Sequence, residues 1–197
     1  MSVGGKILFF YLMFMVLLAP ARAWYGPTHE QIADELYYNL PENISTNLNQ
    51  EAFRSGAVAP DFVFKDYLFH IYPFSYIKAR LHLHQGVRYY QQGDYYRASY
   101  NLGVASHYIT DSLSAFHRIN AYNQKNHNEY EEQALLLKPQ LEYIPDGLLI
   151  SLSQGFIQGE VSWRTWILSR NPEITQRDLD NASSIAYSEI KRSLEGI

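Results

Sequence analysis

Between His107 and Glu131 the chain reads HYITDSLSAFHRINAYNQKNHNEYE, with two histidine–carboxylate pairs, His107/Asp111 and His127/Glu131, and His117 between them. Residues four apart on a helix project from one face, one turn above the other. Each pair can therefore offer an imidazole nitrogen and a carboxylate oxygen to one cation, a donor set that zinc accepts. His117 follows His107 by ten residues and, at about 100° per residue, points roughly 80° away from it. That direction suits a second ion better than the first. Either pair alone reads as an ordinary solvated helix face. Three such elements on one short stretch favour a metal site.

Other donors sit on the elements that lead to this stretch. Thr28 to Leu40 is predicted as a helix, with Thr28 as N-cap, Ile32, Leu36 and Leu40 at four-residue spacing and Pro41 as the stop. It carries His29 in its first turn, where a surface histidine is the bland alternative. A polar helix is expected over Asn43–Arg54, and the small residues and proline of Ser55–Phe62 predict a break. A tight turn there would hold the Asp61 carboxylate rigidly. Phe62–Phe74 is aromatic and irregular, with His70 in its middle, either a ligand or a core histidine. Ser75–Gln92 is predicted as a helix ending at Gly93. Its His82 and His84 are two apart, about 200° around the axis, so they cannot share one metal and read as bystanders.

Asp94 is placed to cap the next helix, which turns Ala98, Leu102, Ala105, Ile109 and Leu113 inward and His107/Asp111 toward the site. A polar loop over Asn120–Asn126 and a helix from about His127 to Lys138 follow. Asp146–Leu168 and Ile174–Leu194 are further helices. No histidine occurs after residue 127, so this tail reads as a core-completing layer in which Trp163 and Trp166 pack.

The N-terminus has Lys6, an apolar run from Ile7 to Leu18 and the end Ala21-Arg22-Ala23. This predicts a signal peptide over 1–23, a secreted product and one domain over 24–197. Removing Lys6 and Arg22 takes the formal net charge from −4 to −6, which argues against a basic stripe for duplex nucleic acid. Cleavage would also free an α-amino group on Trp24, a nitrogen ligand whose own carbonyl can close a chelate. With no cysteine in the chain, zinc fingers and thiol nucleophiles are excluded. There is no alternating strand pattern, glycine-rich phosphate loop or G-x-S-x-G elbow, so the class is all-α, a bundle of about six or seven helices.

Taken together, the pattern resembles the zinc-dependent phospholipase C family and its relatives, the fungal single-strand-specific nucleases. The residues that carry the resemblance are Trp24, His29, Asp61, His70, His107-x3-Asp111-x5-His117 and His127-x3-Glu131. The resemblance implies three zinc ions. One would take Asp61, His70, His107 and Asp111, and a second His117, His127 and Glu131. The third would take the Trp24 amine and carbonyl with His29, and Asp111 would bridge it to the first. The family leaves a wider gap between its aspartate and this histidine, so His82 and His84 stand beside His70 as candidates.

The implied activity is hydrolysis of phosphoric diesters by a metal-activated water, with Asp61 orienting or deprotonating that water. The small size, the lack of cysteine and the G-A-V-A-P-D-F turn resemble the phospholipase branch, and Phe62 could hold a choline headgroup by a cation–π contact. The substrate would then be a phospholipid, met at a membrane surface. The short Trp24-x4-His29 spacing resembles the nucleases, and Tyr25, Gly26 and Pro27 stand where the phospholipases carry an acidic residue. Single-stranded nucleic acid is therefore the alternative substrate, and a non-catalytic, zinc-stabilised helical protein the second alternative. No protein partner is implied.

Overall fold

Eight α-helices account for most of the residues described in the computed structural model, namely 24–114, 124–195 and 197. They are α1 Gly26–Asn39, α2 Glu42–Ser45, α3 Gln50–Ala59, α4 Phe74–Gln91, α5 Tyr95–Leu113, α6 Gln124–Leu135, α7 Leu148–Ser169 and α8 Pro172–Glu195. A π-helical turn, Pro60–Phe64, and a 3-10 turn, Tyr67–His70, connect α3 to α4. There is no strand among the described residues, and the all-α expectation holds. The expected signal peptide, 1–23, and His117 lie outside the described residues.

The helix ends follow local chemistry. α1 starts two residues before Thr28 because Pro27 fits its first turn, where a missing N–H costs nothing. The single helix expected over Asn43–Arg54 is split. Asn49 accepts a hydrogen bond from the Ala52 N–H at 2.7 Å and so caps a new helix, α3, inside that range. Gly93 takes the left-handed conformation (φ 75°) after α4, and Asp94 caps α5 through the Arg97 N–H.

α5 is the central element. From Ala98 to Leu113 every residue except Tyr100 is buried, as befits a helix covered on all sides. It packs most extensively on α3 and α4, and on α8 behind them. The break expected over Ser55–Phe62 is overturned, since α3 runs on to Ala59 and passes directly into the π-helical turn. Gly56 and its small neighbours serve close approach instead of a turn. A Cβ on Gly56 would overlap the Tyr100 carbonyl, and one on Gly103 would overlap that of Phe53. The two helices therefore touch backbone to backbone.

The C-terminal helices complete the core. Trp163 and Trp166 stack at 5.3 Å, and both meet Tyr130 of α6 edge-on. Tyr130 in turn stacks on Trp24 at 5.4 Å.

Candidate metal centre

His107 and Asp111 face inward from the last two turns of α5 with no solvent exposure. The His107 Nδ1 lies 2.7 Å from the Ala57 carbonyl oxygen, and a carbonyl can only accept. Nδ1 therefore carries the proton, and the Nε2 lone pair faces Asp111 Oδ2 at 3.2 Å. Burial and the neighbouring His29 both push the His107 pKa down, so the ring is neutral. A neutral lone pair facing a carboxylate oxygen is repulsive unless a cation lies between them.

Two more imidazoles meet the same carboxylate. His29, from the first turn of α1, places Nε2 3.0 Å from Asp111 Oδ1 and stacks on the His107 ring at 4.0 Å. His70, at the end of the 3-10 turn, places Nδ1 2.7 Å from Asp111 Oδ2. The two oxygens of Asp111 thus face different histidines. Asp61, on the π-helical turn, is buried and lies 3.8 Å from His70 Nδ1. One potential ligand atom each from His29, Asp61 and His107 falls within a 4.8 Å group, and so does one each from His70, His107 and Asp111.

These residues fit zinc. Ligands about 2.1 Å from a tetrahedral ion lie about 3.4 Å from one another, and the spacings above bracket that value. The donor set is all imidazole and carboxylate, held by buried second partners.

The structure brings together the sequence-predicted His29, Asp61, His70, His107 and Asp111. His127 and Glu131 form a second, separate pair on α6, buried, with Nε2 and Oε1 3.7 Å apart. Trp24 is fully buried, and its indole N–H donates to the Thr110 carbonyl, next to Asp111, at 3.2 Å. Of the competing histidines, only His70 reaches the carboxylates. His82 is half-buried against Asn101 Oδ1 at 3.0 Å, and His84 is exposed. Phe62, beside Asp61, is 54% exposed, and its ring fills the space where Gly26 lacks a Cβ.

Sequence reasoning missed Asp66, Lys78 and Tyr108. Asp66 Oδ1 lies 3.7 Å from His70 Nε2, on the far side of that ring from Asp111. The Tyr108 hydroxyl donates to both Asp66 oxygens, at 2.9 and 2.8 Å, and the Lys78 ammonium to Oδ2 at 2.8 Å. Burial raises the Asp66 carboxyl, but His70, Lys78 and Tyr108 outweigh it and hold the group well below the usual carboxylate range. Burial likewise lowers His70, yet the Asp111 and Asp66 carboxylates prevail and raise it to about 9. The available signal was Asp66-x3-His70, the same four-residue spacing of acid and histidine seen in the other pairs.

A family model for zinc-dependent phospholipase C matches residues 28–196. No curated protein matches the chain.

Proposed function

Because the chain belongs to the zinc-dependent phospholipase C family, we propose that it is a hydrolase that cleaves the phosphodiester of a phospholipid with a water activated at the buried His/Asp cluster. The observation that carries this reading is the Asp111 carboxylate, met by nitrogens of His29, His70 and His107 at 3.0, 2.7 and 3.2 Å. Zinc, when bound, supplies a Lewis acid that lowers the pKa of water toward neutrality and offsets charge on the phosphoryl group.

The residues divide the remaining work. Asp111, with one oxygen toward His29 and the other toward His70 and His107, would serve as a ligand shared between the ions those histidines hold. His127 and Glu131, with His117, would hold the remaining one. Ala57 fixes the His107 ring and Asp66 the His70 ring, so neither must reorient on binding. Asp61, rigid in the π-helical turn, accepts the proton of the attacking water. Phe62, exposed next to Asp61, is positioned to contact the headgroup. Secretion with removal of 1–23 belongs to the same reading, since it would free the Trp24 amine as a ligand.

The test combines three measurements on the secreted protein: its N-terminal residue, its zinc content, and hydrolysis of phosphatidylcholine beside single-stranded DNA. The expected result is Trp24 at the N-terminus, three zinc ions and lipid hydrolysis. DNA cleavage without lipid hydrolysis moves the assignment to the nuclease branch, and no zinc together with another N-terminus overturns it. Asp61→Asn should lose most turnover while zinc is retained. Loss of zinc would reduce Asp61 to a ligand.

A further inference from the structure

The turns that carry Asp61 and His70 also carry large apolar side chains that the fold leaves in water. Phe62, Val63, Phe64 and Leu68 are each between 39% and 68% exposed. Phe74, Ile77 and Leu81, on the outer side of α4, add to them at 47% to 59%. That side lies opposite the buried positions Ser75, Ala79, Leu83 and Gly86. Phe69 joins the two groups, packing edge-on against Phe74 at 6.3 Å and lying 4.4 Å under the Lys78 ammonium. Phe64 does the same from the π-helical turn by stacking on His82 of α4 at 6.2 Å. A contiguous apolar surface of this kind marks an interaction site more often than an accident of folding.

Charge indicates the occupant. The protein is acidic, at −4 overall, yet residues 62–93 contain four cations, Lys65, Lys78, Arg80 and Arg88, and one acid. That acid, Asp66, is already paired with Lys78. Lys65, Arg80 and Arg88 are exposed, and no acid flanks Arg80 or Arg88 in sequence. Aromatic and aliphatic side chains rimmed by cations match the headgroup region of an anionic bilayer. A second copy of the chain fits poorly, because a two-fold contact would set these cations against themselves.

We propose that this face, formed by the Pro60–Phe64 turn, the Tyr67–His70 turn and the outer side of α4, docks the protein on an anionic phospholipid bilayer. The proposal rests on the lipid-hydrolase reading above and adds to it the surface that brings the site to its substrate. Because Asp61 lies in the same Pro60–Phe64 turn that would enter the headgroups, docking would bring the His/Asp cluster up to the lipid phosphates.

The test is co-sedimentation of the zinc-loaded protein with vesicles of phosphatidylcholine, with and without phosphatidylserine, next to hydrolysis of a short-chain phosphatidylcholine in true solution. Lys65→Gln/Arg80→Gln should weaken binding to anionic vesicles about twenty-fivefold, at roughly fivefold per cation. Added salt should reproduce that loss. Val63→Ser/Leu68→Ser/Ile77→Ser should weaken binding to both vesicle types more than tenfold. Both variants should keep the wild-type rate on the soluble lipid, which also reports that they fold.

Soluble lipid hydrolysed without vesicle binding would overturn docking and leave the hydrolase reading intact. Vesicle binding without hydrolysis of either lipid would overturn the hydrolase reading and leave docking intact. Concentration-dependent dimers that the serine variant abolishes, with no vesicle binding, would assign the face to a second copy and overturn the proposal.

Discussion

The His107/Asp111 pair sits deep in α5, a helix covered on every side, with each imidazole around it tied to an oxygen of the fold. The His127/Glu131 pair has the same spacing but sits on α6, a twelve-residue helix. Its anchor is Tyr130, which lies between the two ligands in sequence and is packed by Trp24, Trp163 and Trp166. One pair is thus held by a polar clamp and the other by an aromatic socket. Spacing supplies a pair of donors, but the neighbours decide whether lone pairs are already aimed before an ion arrives. The socket also gives residues 139–197 a role. They seat the helix that carries the His127/Glu131 pair.

In the proposed three-zinc reading, the largest expected effect separates the pairs by the number of ions each would hold. Asp111→Asn should remove two of three zinc ions and cost about 10³-fold in activity, as loss of several kcal/mol of Lewis-acid stabilisation implies. Glu131→Gln should remove one ion. Equal losses, read by metal analysis of both variants, would end the distinction between a bridging and a terminal carboxylate.

The clamp itself can be loosened without touching a ligand. Asp66→Asn should weaken zinc binding by about 10- to 100-fold in chelator competition, with Tyr108→Phe weaker in the same direction. No change in either variant would mean that the His70 ring is positioned by Asp111 alone.

The clamp should also show in proton release. His70 is raised from 6.5 to about 9 in the folded protein, so its contribution to stability is complete below about pH 6.5 and lost as pH rises through about 9. Binding zinc at Nδ1 of this charged ring must expel a proton. Calorimetric titration of zinc into the chelator-stripped protein, in buffers of differing ionisation enthalpy, should show one additional proton released at pH 7 and none above pH 9. A constant release across that window would contradict the clamp.

The smallest effect belongs to the socket. The Tyr130 hydroxyl donates to Asp178 at 2.9 Å, and Ser162 donates to the other oxygen at 2.7 Å. Burial raises Asp178, against the pull of those hydrogen bonds. Tyr130→Phe removes one partner of a buried carboxyl and should cost about 1–2 kcal/mol in denaturant unfolding, with the zinc content unchanged. A fall in zinc content would show that the socket acts through this hydroxyl as well as through packing.

Much of this arrangement was legible in the sequence because it depends on short-range periodicity. The i, i+4 pairs, the Gly93–Asp94 boundary and the inward positions of α5 all follow from helix geometry. The run Ser55–Phe62 misled because glycine, alanine and proline mark turns and close helix contacts alike, and only the partner helix tells them apart. Asp66 escaped notice because its partners, Tyr108 and Lys78, lie 42 and 12 residues away. His70 could be separated from His82 and His84 only once the 3-10 turn placed its ring against Asp111.

Gly56 and Gly103 carry a consequence beyond packing. They let α3 and α5 touch, and it is a carbonyl of α3, that of Ala57, which sets the angle of the His107 ring. Helix separation is thereby converted into ring orientation, so the pair works as a calliper on the metal site. A methyl group at either position would widen the gap, swing the imidazole and loosen the fit to a small cation. In the proposed zinc site, the size of ion accepted would be set in part by two glycines that carry no donor side chain.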